Sequence, residues 1–259
     1  MAPEPKNTSL LFRIIKGLVR FFYIKYEVEG LENLPDGSCI IAANHAQMNG
    51  PLASELYFPG HRYTWCAGQM MQLKEVPEYA FTDFWSQKPR YTRPFYKLLS
   101  YLIAPLAVCI FNNADTIAVH RDGRILSTFK QTVKALEEGA RVVIFPEHDE
   151  KHNHIVYDFQ EGFVEIARLY HKRTGKELSF VPMYIAPNLH KMYLGKPIRY
   201  RADADKKEEP GRICSYLMDE ITHMACALPA HTVIPYRNIA KKDYPSNIPE
   251  EAPHESPSC

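Results

Sequence analysis

Apolar positions along this chain recur with two periods, and the places where one gives way to the other mark out its elements. Between residues 10 and 26, Leu11, Ile14, Ile15, Leu18, Phe21 and Phe22 fall three or four apart, with Arg13, Lys16, Arg20 and Lys25 between them. That spacing predicts a basic amphipathic helix. Its apolar stripe would either pack on the protein's own core or lie in the interface of an anionic membrane. Val28 to Leu34 reads as a strand entering a Pro35-Asp36-Gly37 turn, and residues 38–43 read as a buried strand that stops at Asn44-His45. A helix is expected to start at Pro51, where a missing N–H costs nothing. Residues 63–67 resemble a further strand.

The segment from Met70 to Asn113 is too apolar for a solvated loop, with Tyr79, Phe81, Phe84, Trp85, Tyr91, Phe95 and Tyr96 followed by LLSYLIAPLAVCIF. It predicts a pair of helices that either cover an apolar groove or insert at a membrane surface. Its longest apolar run, Tyr101 to Phe111, contains Pro105 and falls short of the roughly 20 residues a bilayer span needs. No span is therefore expected.

From residue 115 strand and helix alternate. Residues 116–119 form a strand, Ile125, Phe129, Val133 and Leu136 one face of a helix ending at Gly139, and Arg141 to Phe145 (RVVIF) a strand apolar enough to be covered on both faces. A helix carrying Phe159, Phe163, Ile166 and Tyr170 runs to Gly175, a strand occupies 178–185, and a last helix from about Pro210 turns Ile213, Leu217 and Ile221 inward. The expected fold is α/β, a mostly parallel central sheet with flanking helices, an N-terminal amphipathic helix and an apolar insert. The chain divides into the helix of residues 1–26, a single domain over 27–235, and a proline-rich stretch, 236–259, that reads as a disordered tail.

Composition narrows the function. The hydrophobic fraction is 46%, that of an ordinary core, and 31 Lys and Arg stand against 30 Asp and Glu, which leaves no electrostatic footprint for nucleic acid. Six cysteines without a C-x-x-C pair fit reduced thiols. Arg13, Lys16 and Arg20 break any signal-peptide core. The expected location is cytoplasmic, peripheral on the inner face of a membrane.

Two polar loops follow buried strands: NHAQMNG at 44–50 and PEHDE at 146–150. In a doubly wound sheet, loops at the carboxyl ends of adjacent strands meet in one crevice. His45 and Glu147 would then supply a base and a hydrogen-bonding carboxylate facing a substrate hydroxyl. As bland alternatives, His45 is a loop histidine, Glu147 a cap, and Arg121 and Arg124 surface charges before a helix.

Asn44-His45 after an apolar strand, an arginine loop at Arg121, Phe145-Pro146-Glu147, and Val181-Pro182 on a later strand occur in the order of four motif blocks. Over roughly residues 27–200 the chain resembles the phospholipid/glycerol acyltransferase family, typified by 1-acylglycerol-3-phosphate acyltransferases. The resemblance implies transfer of a fatty acyl group from acyl-CoA or acyl-carrier protein to a lipid hydroxyl, with His45 as general base and no cofactor beyond the thioester co-substrate. It further implies acceptor contacts through Glu147, Asn44, Gln47 and His148, and an anionic-group contact through Arg121 or Arg124.

Two blocks depart from the family pattern. The aspartate expected four residues past the histidine is Gly50, which leaves Asn49 or Gln47 to orient the ring, and the glycine-threonine-arginine after Glu147 is replaced by His148, Asp149 and Glu150. The added negative charge disfavours a phosphate-bearing acceptor. Such losses also describe a catalytically inactive lipid- or acyl-CoA-binding protein, while the histidines of HDEKHNH (148–154) offer a third reading, a metal-binding hydrolase.

Overall fold

The computed structural model describes residues 8–86, 88–120 and 123–248, with the backbone alone at Asp149 and Glu150. Helix α1 (Leu10–Phe22) starts where the Ser9 hydroxyl accepts from the Phe12 N–H at 3.2 Å. Phe12 turns inward, but Leu11, Ile14, Leu18, Phe21 and Phe22 stand in solvent, Phe21 at 81%. Packing on the protein's own core therefore does not account for this stripe.

Strands β1 (Glu27–Glu29) and β2 (Cys39–Ala43) follow, then helix α2 (Asn49–Tyr57) and strand β3 (Arg62–Ala67). Helix α2 begins two residues before the predicted Pro51, which still sits in the first turn where no N–H is needed. The apolar insert forms α3 (Val76–Ala80), a π-helical turn at Phe81–Trp85, and α4 (Arg93–Asn113), with Met70, Val76, Ala80, Ala104 and Ala107 buried between them. Tyr91, Phe95, Leu98, Tyr101 and Leu102 face outward. Residues Arg90–Asn113 are long and apolar enough to cross a membrane by length and composition, and 17% of their most apolar stretch is buried. The uninterrupted-run argument missed this because the helix continues through Pro105.

Strand β4 (Thr116–Val119), helix α5 (Ile125–Glu137) and strand β5 (Arg141–Ile144) are as expected. The next segment is not. Instead of a loop and then a helix from Phe159, β6 (Glu147–His152) and β7 (Tyr157–Phe159) form an antiparallel hairpin, and α6 starts at Glu165 and ends at Thr174. Ile155, Val156, Tyr157 and Phe159 are all buried, which anchors the hairpin although β6 itself is polar. Strands β8 (Ser179–Ala186), β9 (Lys191–Leu194) and β10 (Ile198–Arg199) and helix α7 (Glu208–Cys226) complete the fold.

The main sheet has the order β1-β9-β8-β2-β5-β3-β4, with β10 also on β8. Strands β8, β2, β5, β3 and β4 are mutually parallel, while β9 and β10 run antiparallel to β8. Ile40 and Ala42 face one layer, built with Leu136 of α5, Ile166 of α6 and Leu217 of α7. Cys39, Ile41 and Ala43 face the other, with Ala53 of α2, Tyr26 and Phe58. Burial on both faces explains why these strands read as continuous apolar runs.

The stretch read as a disordered tail, 236–259, is folded over most of its described part. Residues 249–259 lie outside the described residues, but 232–247 fold back on the domain: Thr232 bridges Ser246, and Asn247, fully buried, donates to the Ala225 carbonyl at 2.8 Å. Backbone bonds, one buried amide and the buried Val233 and Pro235 hold the segment against the domain.

Candidate active site

Because β2 and β5 are adjacent and parallel, their carboxyl ends deliver residues 44–50 and 145–147 to one place. The two loops are joined directly. Glu147 Oε1 accepts from the His45 backbone N–H at 2.5 Å, and Oε2 accepts from the Tyr157 N–H at 2.8 Å. Glu147 is 4% exposed, so it latches the His45 backbone to the hairpin rather than facing a substrate hydroxyl, a correction to its expected role. Burial pushes its carboxyl up from 4.5 to about 7, against the two N–H donors that favour the charged form.

The His45 ring lies edge-on between Phe145, 5.2 Å away, and Tyr236, 5.5 Å away, centroid to centroid. Its Nδ1 is 2.6 Å from the Gln47 backbone carbonyl. A carbonyl only accepts, so Nδ1 carries the proton and Nε2 keeps its lone pair. This contact is possible because Ala46 and Gln47 both adopt left-handed backbone, at φ 45° and 54°. Each such non-glycine residue costs about 1–3 kcal/mol and persists only when its surroundings hold it. Burial lowers the imidazole from 6.5 to about 4, against the Gln47 carbonyl, which favours the charged ring. The ring is therefore neutral at pH 7.

The absent aspartate has a steric explanation. The Gly50 N–H donates to the His45 carbonyl at 3.1 Å, and a Cβ on Gly50 would lie 2.3 Å from that oxygen and 3.0 Å from Phe145 Cε1. No side chain fits there. Asn49 does not orient the ring either: its amide donates to the Ala46 carbonyl at 3.1 Å, and its oxygen accepts from Tyr23 Oη at 3.2 Å. The orienting group is the Gln47 main chain, while the Gln47 side chain donates to Tyr244 Oη at 3.0 Å and to the Arg237 carbonyl at 3.3 Å.

Other expected substrate contacts are occupied elsewhere. Asn44, 2% exposed, donates to the Ile185 carbonyl at 3.0 Å and accepts from the Ile185 N–H at 2.6 Å, clamping β2 to β8. His148 points away from Glu147 by strand alternation and lines a groove of about 390 Å³ with Asp158, Glu161, Cys214 and Met218. Arg124 is exposed at the start of α5, and Arg121 lies outside the described residues. The histidines of the hairpin diverge: His152 stacks on Tyr157 at 4.4 Å and His154 lies 3.8 Å from Cys226 Sγ. Among the described residues no three His, Cys, Asp or Glu side chains are grouped to hold a metal ion. Tyr236 and Tyr244 escaped the sequence reading, since nothing in a proline-rich stretch signals contact with a loop some 190 residues earlier.

The structure thus sets a neutral histidine, held through Nδ1, at the carboxyl edge of a buried parallel sheet, the edge where α/β folds carry their ligand sites. Residues 84–186, which include Glu147 and begin after His45, match the family model described as Acyltransferase. The match spans less than half of the chain. No curated protein sequence matches it. Among solved structures it is similar to the crystal structure of the 1-acyl-sn-glycerophosphate (LPA) acyltransferase, PlsC, from Thermotoga maritima, at a TM-score of 0.49 and 14% identity, over 84% of this chain and 83% of that one.

Proposed function

We propose that the protein transfers a fatty acyl group from acyl-CoA or acyl-carrier protein to a hydroxyl of a glycerolipid or related lipid at a membrane surface. The observation that carries this reading is the Nδ1 contact of His45 with the Gln47 carbonyl, which leaves Nε2 as the base. Nε2 takes the acceptor's hydroxyl proton as its oxygen attacks the thioester carbonyl carbon. The tetrahedral intermediate collapses, the carbon–sulfur bond breaks, and the imidazolium returns the proton to the departing thiolate. The Gln47 carbonyl dipole favours the transient imidazolium but supplies no full charge.

The exposed apolar residues of α1 and α4 support peripheral membrane contact, with Arg13, Arg20, Arg90, Arg93 and Lys97 beside them to meet anionic lipid. The negative charges at Asp149 and Glu150 support an acceptor without phosphate. The test is thiol release from palmitoyl-CoA by purified protein with a panel of acceptors (diacylglycerol, lysophospholipids, glycerol 3-phosphate and lysophosphatidate), beside His45→Ala. Acceptor-dependent release abolished in the variant is expected. Binding without release, with either donor, would leave the lipid-binding alternative, and efficient use of lysophosphatidate would overturn the assignment of acceptor.

A further inference from the structure

We propose that the C-terminal strap, residues 232–247, fixes the tautomer of His45 by gripping Gln47, and so takes over the positioning role of the missing aspartate. This rests on His45 being the base. The strap is pinned at its two ends. The His231 N–H donates to Asn247 Oδ1 at 2.7 Å, the Asn247 N–H donates to the His231 carbonyl at 3.0 Å, and the Val233 N–H donates to the Pro245 carbonyl at 2.8 Å. His231 is itself tied to Tyr184 Oη through Nε2 at 2.8 Å.

Between these pins the strap meets the base loop at three points. Tyr236 packs edge-on against the His45 ring, the Arg237 carbonyl accepts from the Gln47 amide, and Tyr244 Oη accepts from the same amide at 3.0 Å. One residue therefore does two jobs. The Gln47 side chain is held by the strap while its main-chain carbonyl holds His45 Nδ1, and the left-handed backbone joining them is unfavourable without a restraint. Asn49 and Glu147 restrain the neighbours, Ala46 and the His45 backbone, but among the described residues the Gln47 side chain is gripped through the strap contacts named above. If the grip is lost, the Gln47 carbonyl leaves Nδ1, the proton can move to Nε2, and the free lone pair then faces away from the substrate.

The experiment is nitrogen-15 NMR of the imidazoles in full-length protein labelled at histidine, with His45 assigned from the loss of its signals in His45→Gln. The wild type should show a protonated Nδ1 and an unprotonated Nε2. Tyr244→Phe, which removes only the hydroxyl, and Gln47→Ala should both move His45 toward the Nε2-protonated form. They should also lower kcat at least tenfold with KM little changed and the Tyr244→Phe melting temperature preserved. A wild-type His45 protonated at Nε2, or an unchanged Nδ1 tautomer in Tyr244→Phe, would overturn the proposal. Strap-dependent tautomerism in a protein that releases no thiol would instead leave the positioning intact and refute the enzymatic reading.

Discussion

Placing at Gly50 the aspartate of the motif that residues 44–50 resemble should damage this protein. In Gly50→Asp the new Cβ would stand 2.3 Å from the His45 carbonyl oxygen, where an ordinary carbon–oxygen contact is about 3.3 Å, so main chain must move by about 1 Å. The obstacle is backbone, and no rotamer relieves it. Overpacking of this kind costs about 1–3 kcal/mol, and loss of the Gly50 N–H bond to His45 adds about 1 kcal/mol. A carboxylate in the first turn of α2 gains only about 0.3–1 kcal/mol from the helix dipole, so the clash wins. The expected net loss of about 1–4 kcal/mol lowers Tm by roughly 2–15 °C. Displacing the base by this distance costs on the order of a hundredfold in rate. Thermal denaturation and thiol-release kinetics on Gly50→Asp and Gly50→Ala read both effects, the alanine isolating the Cβ from the charge. Wild-type stability with equal or faster turnover in Gly50→Asp would show that the loop has room for a side chain, and would sink the argument.

Asn44→Ala should lose about 2–4 kcal/mol of stability, measured by urea unfolding, because it strands the buried N–H and C=O of Ile185; a loss under 1 kcal/mol would mean water replaces the amide. Two opposing ionisations should show in stability against pH. Glu147, raised from 4.5 to about 7, holds its proton in the folded state, so its contribution is full below pH 4.5 and is lost as pH rises through 7. His45, lowered from 6.5 to about 4, contributes stability that is full above pH 6.5 and is lost as pH falls through 4. Between pH 4.5 and 6.5 the two slopes, about 1.4 kcal/mol per unit each, cancel. His45→Ala should therefore lose stability as pH rises from 4.5 to 7 relative to wild type, and Glu147→Gln should lose it as pH falls from 6.5 to 4. Parallel curves for all three proteins would contradict these assignments.

What could be read from the sequence was what burial imposes on residue type. Strands β2 and β5, apolar on both faces, announce a parallel sheet, and loops at the carboxyl ends of adjacent parallel strands bring residues 44 and 147 together. Polar groups that satisfy one another left no such trace. Asn44 looks like a motif residue, yet its amide acts as one more rung between β2 and β8. Strand β6 reads EHDEKH, a pattern no different from a polar loop, since the apolar residues that anchor the hairpin lie on its partner and in the turn. The strap was unreadable for a related reason: Asn247 and Tyr244 hold it through hydrogen bonds, and composition registers none of them. Helix α1 shows the converse, for its stripe was legible but its partner was not. An amphipathic pattern says that a face needs cover without saying what covers it.

The substitution of a carbonyl for a carboxylate separates two functions that an aspartate combines. A carboxylate behind a histidine selects the tautomer and also stabilises the imidazolium by charge, which keeps such a ring basic. The Gln47 carbonyl performs the first and only weakly the second, so burial prevails and the ring falls to about 4. The acid limb of kcat/KM should accordingly lie near pH 4, with activity close to its plateau at pH 5.5, where a base of ordinary pKa 6.5 would be about nine-tenths protonated. For the proposed base the gain is a ring free at every physiological pH, and the cost is a weaker pull on the acceptor proton, which would tie the rate to how closely the hydroxyl is held against Nε2. A limb near pH 6.5, removed by no variant other than those of His45, would show that the ring is solvated in the working enzyme and that the packing of Phe145 and Tyr236 around it opens during turnover.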